Sequence, residues 1–216
     1  MFVGHIAVGL ASKRLAPRAP FVLVFGAPLF LDLLWPVFLS LGWEQVAIEP
    51  GATPFTPLDF ISYPWSHSLV MSLFWGALLG AITWTVTRER TAALVVGSGV
   101  VSHWVLDWVT HRPDLPLAPT GAIRVGLGLW NSIPGTLIVE GALFVLGIWF
   151  YLRTTRPRDA VGRWAFWALM ALSAVMWVPF SPPPPNAKAL TTLAYVGWLV
   201  PLWGAWFDRH RDVVAG

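Results

Sequence analysis

The chain has 216 residues, 56% of them hydrophobic and 12% charged, with 15 tryptophans and no cysteine. A charged fraction about half that of an ordinary soluble domain excludes a soluble fold, and the lack of cysteine excludes disulfides and thiolate metal sites. The formal net charge is +3, but the basic residues sit in short loops between apolar stretches and read as topology signals, with no nucleic-acid partner implied.

The opening stretch, "MFVGHIAVGLAS", has no basic residue ahead of it; Lys13, Arg14 and Arg18 follow. No cleavable signal peptide is expected from that order. The stretch falls short of the roughly 20 residues a crossing needs, so a half-inserted or interfacial helix is expected. Six spans follow, at about 21–42, 66–86, 92–110, 131–152, 163–181 and 190–207. Loops are marked by "TRERT" (87–91), "RTTRPRDAVG" (153–162) and "SPPPPNAK" (181–188), and two longer Pro- and Gly-rich connections cover 43–65 and 111–130. The expected fold is an all-α, polytopic transmembrane helical bundle, forming one integral membrane domain over 1–216.

With the N-terminus in the cytoplasm, eleven of the 14 basic residues fall inside, and Arg112, Arg124 and Lys188 fall outside. That asymmetry predicts cytoplasmic termini in the inner membrane, with both long loops facing outward. The first span, "FGAPLFLDLLWP", sets Asp32 between Pro28 and Pro36, so a kink is expected near the carboxylate. In the second span, "GALLG" (76–80) is a small-xxx-small pattern that predicts close helix packing.

The third span ends in "SHWVLDWVTH" (102–111), whose His103, Asp107 and His111 share one helical face. Ionisable groups in hydrocarbon are costly and by default mark a functional site. At about 1.5 Å of rise per residue, Asp32, His103 and Glu140 lie near one depth. His5 joins them if the opening stretch dips into the bilayer. The same arithmetic sets His67 about 28 Å up its span, too high to share an ion with Asp32 unless the helix tilts or starts deeper. The profile is a polar funnel opening outward.

His and Asp at i and i+4 can hold one cation from a single turn, and carboxylate plus imidazole suits Zn²⁺, with Mn²⁺ or a similar ion as alternatives. Water activated by such an ion hydrolyses esters and phosphodiesters. Glu140 or His111 would then serve as general base or proton shuttle. Arg112 and Arg124 could receive an anionic group. His210 and Asp208 read as a solvated tail. The competing reading is a metal-ion or proton-coupled permease, in which midplane carboxylates and imidazoles bind and release cations.

Four stretches, "GHIAVGLA" (4–11), "APLFLDLLW" (27–35), "WSHSLVMSL" (65–73) and "VVSHWVLDWVTH" (100–111), resemble the successive motifs of the membrane-bound metal-dependent hydrolases of bacterial and archaeal inner membranes. The resemblance covers roughly the first 115 residues. It implies that His5, Asp32, His67, His103 and Asp107 correspond to that family's metal ligands. The chain departs from the pattern at Leu34, which stands where a second carboxylate is usual, and at Ser66, which replaces a Thr. A more distant likeness in ligand types links the pattern to zinc-dependent phospholipase C. The partners so implied are the lipid bilayer and a small-molecule or lipid substrate.

Overall fold

The computed structural model describes residues 1–178 and 183–214, and 68% of the described residues are helical. Helix α1 (Val3–Leu15) is followed by α2 (Phe21–Gly26), a 3-10 turn (Ala27–Leu29) and α3 (Phe30–Ser40). A hairpin, β1 (Gln45–Ile48) and β2 (Leu58–Ser62), leads to the single turn α4 (Pro64–His67), then α5 (Leu69–Thr87) and α6 (Arg90–Thr110). Strands β3 (Leu115–Pro116) and β4 (Arg124–Val125) precede α7 (Ile133–Thr154), β5 (Thr155–Pro157) and α8 (Ala160–Trp177). The chain ends with α9 (Ala187–Ala194), a 3-10 turn (Tyr195–Trp198), α10 (Leu199–Asp208) and β6 (Arg211–Val213). Residues 179–182, which include the end of the expected fifth span and the start of the Pro-rich turn, lie outside the described residues.

Among the described residues, six segments are long and apolar enough to cross a membrane: Phe21–Ser40, Leu69–Thr87, Arg90–Thr110, Ile133–Thr154, Ala160–Trp177 and Ala187–Asp208. The expected spans match these within a few residues. α5 shows why the protein is integral to a membrane. It buries Ser72, Gly76, Gly80 and Thr83, while Val70, Leu73, Phe74, Ile82 and Val86 point outward. Small and weakly polar residues face the protein and large apolar ones face lipid, the reverse of a soluble helix.

Close backbone approach replaces hydrophobic burial as the packing device. A Cβ on Gly76 would lie 2.7 Å from the Gly97 carbonyl oxygen of α6, so the small-residue pattern read from "GALLG" does bring α5 against α6. One on Gly147 of α7 would lie 2.5 Å from the Ala7 Cα of α1. α1 is accordingly wrapped by α7, α6 and α2, with Val3, His5, Ile6 and Leu10 buried. α1 is thus packed inside the bundle, as expected of a half-inserted helix.

The helix break falls at Ala27–Leu29, one turn before Asp32, and Pro36 is accommodated inside α3. A proline at position 28 removes an amide donor where the 3-10 turn leaves the main helical ladder. At the end that carries most of the basic residues, β5 pairs antiparallel with β6. There Asp208 is not a solvated tail residue: it accepts from Lys13 Nζ at 2.7 Å and from Tyr151 Oη at 2.7 Å. His210 Nδ1 meets the Asp159 carboxylate at 2.6 Å. The two long connections at the opposite end contain β1–β2 and β3–β4, short hairpins that the Pro-rich sequence gave no alternation to reveal.

Candidate metal centre

Four separate segments deliver imidazoles and carboxylates to one point inside the bundle. α6 presents His103 and Asp107 one turn apart, with His111 at its C-cap. α1 contributes His5, α3 contributes Asp32 just past the helix break, and α4 ends in His67. His103 Nε2 is 3.0 Å from Asp107 Oδ2, and His5 Nε2 is 3.0 Å from Asp107 Oδ1. His67 Nε2 lies 3.4 Å from Asp32 Oδ1 and 3.3 Å from His103 Nε2. Candidate ligand atoms of His5, His103 and Asp107 lie within 4.8 Å of one another, as do those of Asp32, His67 and His103. The His5 ring stacks on His103 with centroids 3.7 Å apart.

The depth estimated for His67 is corrected here. Counting residues along one continuous span put it too far above Asp32. In the structure the span begins at Leu69, and Ser68 is extended, with ψ 150°. α4 is a separate turn that carries His67 back over the centre. The break at Ser68 is where the expected continuous span fails, and His67 comes within 3.4 Å of Asp32.

Three of the imidazoles, those of His103, His67 and His111, are held from behind at Nδ1, whereas the buried His5 Nδ1 has no hydrogen-bond partner among the described residues. His103 Nδ1 is 2.7 Å from the Pro28 carbonyl oxygen, which only accepts, so the proton sits on Nδ1. Pro28 thus does two things: it breaks the helix and leaves its carbonyl for His103. His67 Nδ1 is 2.6 Å from Ser66 Oγ, whose own proton goes to Glu44 Oε2 at 2.7 Å; His67 must therefore donate too. His111 Nδ1 donates to Asp114 Oδ1 at 3.0 Å, and Tyr63 Oη donates to the same oxygen at 2.9 Å. Each of these three rings thereby turns Nε2 toward the centre. His111 Nε2 is 3.9 Å from Asp107 Oδ2.

Glu44 and Asp114 are functional candidates that sequence reasoning missed. Both lie in loops, outside any apolar stretch, where an acid carries no signal. Burial pushes the Glu44 carboxyl up, against the pull of His67 and the Ser66 and Trp65 donors. Burial also pushes Asp114 up, but donors from His111, Tyr63 and Arg112 outweigh it and hold Asp114 below the usual carboxylate range. Burial lowers His111, and Asp114 partly offsets it. Arg112 is committed to Asp59 of β2 and to Asp114, the latter at 3.1 Å, so it is not a free anion receptor. Arg124 donates to the Ile61 carbonyl at 3.0 Å.

Glu140 is fully buried, but it faces the start of the chain. Its Oε2 accepts from the Phe2 amide at 2.9 Å, and its Oε1 has no hydrogen-bond partner among the described residues. The Met1 ammonium lies against Asp107 Oδ1. The Asp32 side chain is 43% exposed, whereas those of His5, His67, His103 and Asp107 are closed off. The cluster is therefore open on the Asp32 side.

A family model described as YdjM inner membrane protein matches residues 56–182, more than half of the chain. The match takes in His67, His103, Asp107, His111, Asp114 and Glu140. No curated protein and no solved structure matches the chain.

Proposed function

The chain belongs to the YdjM inner membrane protein family, and from that premise we propose that it is a metal-dependent hydrolase of the bacterial inner membrane. One observation carries the proposal. The His67 and His103 Nε2 atoms, each turned inward by a bond at Nδ1, face one another at 3.3 Å beside the carboxylates of Asp32 and Asp107. Two imidazole nitrogens and two carboxylates converging in a buried space are stabilised by a cation among them, and we assign that place to a divalent metal ion. Neutral imidazole and carboxylate with oriented outer partners is the donor set that Zn²⁺ takes, Mn²⁺ or a similar ion being the alternatives.

His67, His103, Asp32 and Asp107 would hold the ion, with His5 as a further ligand through Asp107's side of the cluster. A bound divalent ion supplies the charge that makes water a nucleophile near neutral pH. The chain's own groups do the rest. Asp32 lines the open side, through which water and substrate arrive. His111 turns Nε2 toward Asp107 and can accept a proton there, because Asp114 holds its Nδ1 proton in place. Arg112 in turn fixes Asp114. Glu140 anchors the start of α1 through Phe2 and is the less suited of the two candidate bases. The charge asymmetry of the loops supports cytoplasmic termini and a centre near the outer face. A site at that depth suits an ester or phosphodiester of lipid-like character.

The test is metal analysis of the detergent-purified chain, combined with hydrolysis of a chromogenic phosphodiester and of phospholipid in vesicles. Bound Zn²⁺ or Mn²⁺ and turnover that a chelator abolishes are expected. Purified protein with no divalent ion and no affinity for one would overturn the reading.

A further inference from the structure

Glu44 stands in the turn between α3 and β1, far in sequence from the centre, yet it is 2% exposed. Its Oε1 accepts from the Trp65 and Ser66 amides at 2.9 and 2.7 Å. These are the orphan donors at the second and third positions of α4, a four-residue turn whose own N-cap, Tyr63, makes no side-chain cap bond. An isolated turn of that length cannot hold itself, so Glu44 supplies the missing cap from another part of the chain. Its second oxygen, Oε2, accepts from Ser66 Oγ at 2.7 Å, and Ser66 Oγ lies 2.6 Å from His67 Nδ1.

We propose that Glu44, acting through Ser66, is the positioning residue that sets the His67 tautomer and so turns a bare Nε2 toward the centre. The inference deepens the hydrolase reading and rests on it for the role of His67 as a ligand. The hydroxyl has one proton. While Glu44 is a carboxylate that proton goes to Oε2, and the imidazole has to donate to Ser66. A donor in place of Oε2 reverses the chain: it would bond to Ser66 Oγ, Ser66 would donate to His67 Nδ1, and the ring proton would move to Nε2. His67 would then present N–H where an ion needs a lone pair.

Glu44→Gln makes that reversal while sparing the cap, since the amide oxygen still accepts from Trp65 and Ser66. Ser66→Ala removes the relay altogether. The full chain, labelled with ¹⁵N-histidine in detergent, reports the tautomer of each ring through its nitrogen shifts, with or without metal. Competition with a chelator reports Zn²⁺ affinity. Wild type is expected to show His67 protonated at Nδ1 and Glu44→Gln to show it protonated at Nε2. Zn²⁺ affinity should fall about 10–100-fold in both variants, as for other outer-shell partners, and the double variant should lose no more than the worse single one. An Nδ1-protonated His67 in Glu44→Gln would overturn the inference, as would unchanged Zn²⁺ affinity in both variants of a metal-binding wild type. A wild type that binds no divalent ion overturns the hydrolase reading instead, and the tautomer shift then decides the present inference by itself.

Discussion

His67 Nε2 and His103 Nε2 meet at 3.3 Å although one ring comes from a loop turn and the other from a long span. Each is fixed by a different outer partner, the Ser66 hydroxyl in one case and the Pro28 carbonyl in the other. The relationship explains why the helix break at Ala27–Leu29 lies next to Asp32. At the break the Pro28 carbonyl meets His103 Nδ1, and α3 starts so that Asp32 is brought within 3.8 Å of Nε2 of the same ring. Pro28 is thus part of the site's construction as well as of the fold.

If that cluster holds an ion, its most enclosed members should matter most. Asp107 contacts His5, His103 and the Met1 ammonium. Asp107→Ala and His103→Ala are each expected to bring bound Zn²⁺ or Mn²⁺ far below the wild-type stoichiometry. Asp107→Ala should also destabilise the chain by about 3 kcal/mol, because it leaves the buried groups that pair with Asp107 unmatched. His210→Ala, at the far end of the bundle beside Asp159, should leave metal content unchanged. Elemental analysis and thermal unfolding of the three variants check this.

The packing of α1 gives an independent test of the fold. α1 carries His5, and it reaches its place because α7 offers no side chain at Gly147. A methyl there would meet Ala7 at 2.5–2.8 Å, much of it backbone. Gly147→Ala is expected to push α1 off α7, lowering the unfolding temperature by several degrees and loosening metal binding with it. Gly141→Ala, on the same helix, meets only the edge of the Trp177 ring at 3.4 Å and should be tolerated. Equal melting temperatures for the two variants would contradict this account.

The spans could be read because a membrane leaves a helix few ways to be polar, and hydropathy carries that constraint directly. The same constraint made His103 and Asp107 visible, since a carboxylate and an imidazole four residues apart in apolar sequence need a reason to be there. His67 was recognised by its residue type but misplaced in depth, because no residue in "WSHSLV" marks Ser68 as extended. Glu44 and Asp114 were missed for the opposite reason. An acid in a polar loop is unremarkable until the loop folds over the end of the bundle. The hairpin that does so ties to two imidazoles, through Glu44 and Ser66 to His67, and through Asp59, Arg112 and Asp114 to His111. None of these ties has a sequence period.

The proposed orientation rests on the charge asymmetry of the loops and is checked by labelling. Thr155 lies at the basic end but is buried, so the exposed neighbour Arg156 is the better reporter, paired with the exposed Lys188 at the other end. Single cysteines at these positions are expected to react from opposite sides of the membrane, Lys188→Cys with an impermeant maleimide added outside to intact cells. Reaction of Lys188→Cys only after the membrane is breached would turn the open side of the centre toward the cytoplasm.

The last expectation separates an enzyme from a permease and turns on two buried groups that the structure treats differently. His111 points Nε2 at Asp107 and is braced by Asp114, whereas Glu140 is engaged with the Phe2 amide. A general base is worth roughly 10²–10⁴-fold in rate. His111→Asn should therefore lower phosphodiester hydrolysis by that order while leaving bound metal near wild type. Asp114→Asn should lower it less, since the imidazole remains and only its bracing is weakened. Glu140→Gln keeps an oxygen for Phe2 and should retain most of the turnover. A permease gives another pattern: no hydrolysis in any variant, and metal or proton flux in proteoliposomes that the carboxylate and imidazole variants change together. Loss of turnover in Glu140→Gln with full activity in His111→Asn would exchange the roles assigned to the two residues. Flux without hydrolysis of either a chromogenic diester or vesicle phospholipid would replace the hydrolase reading with transport.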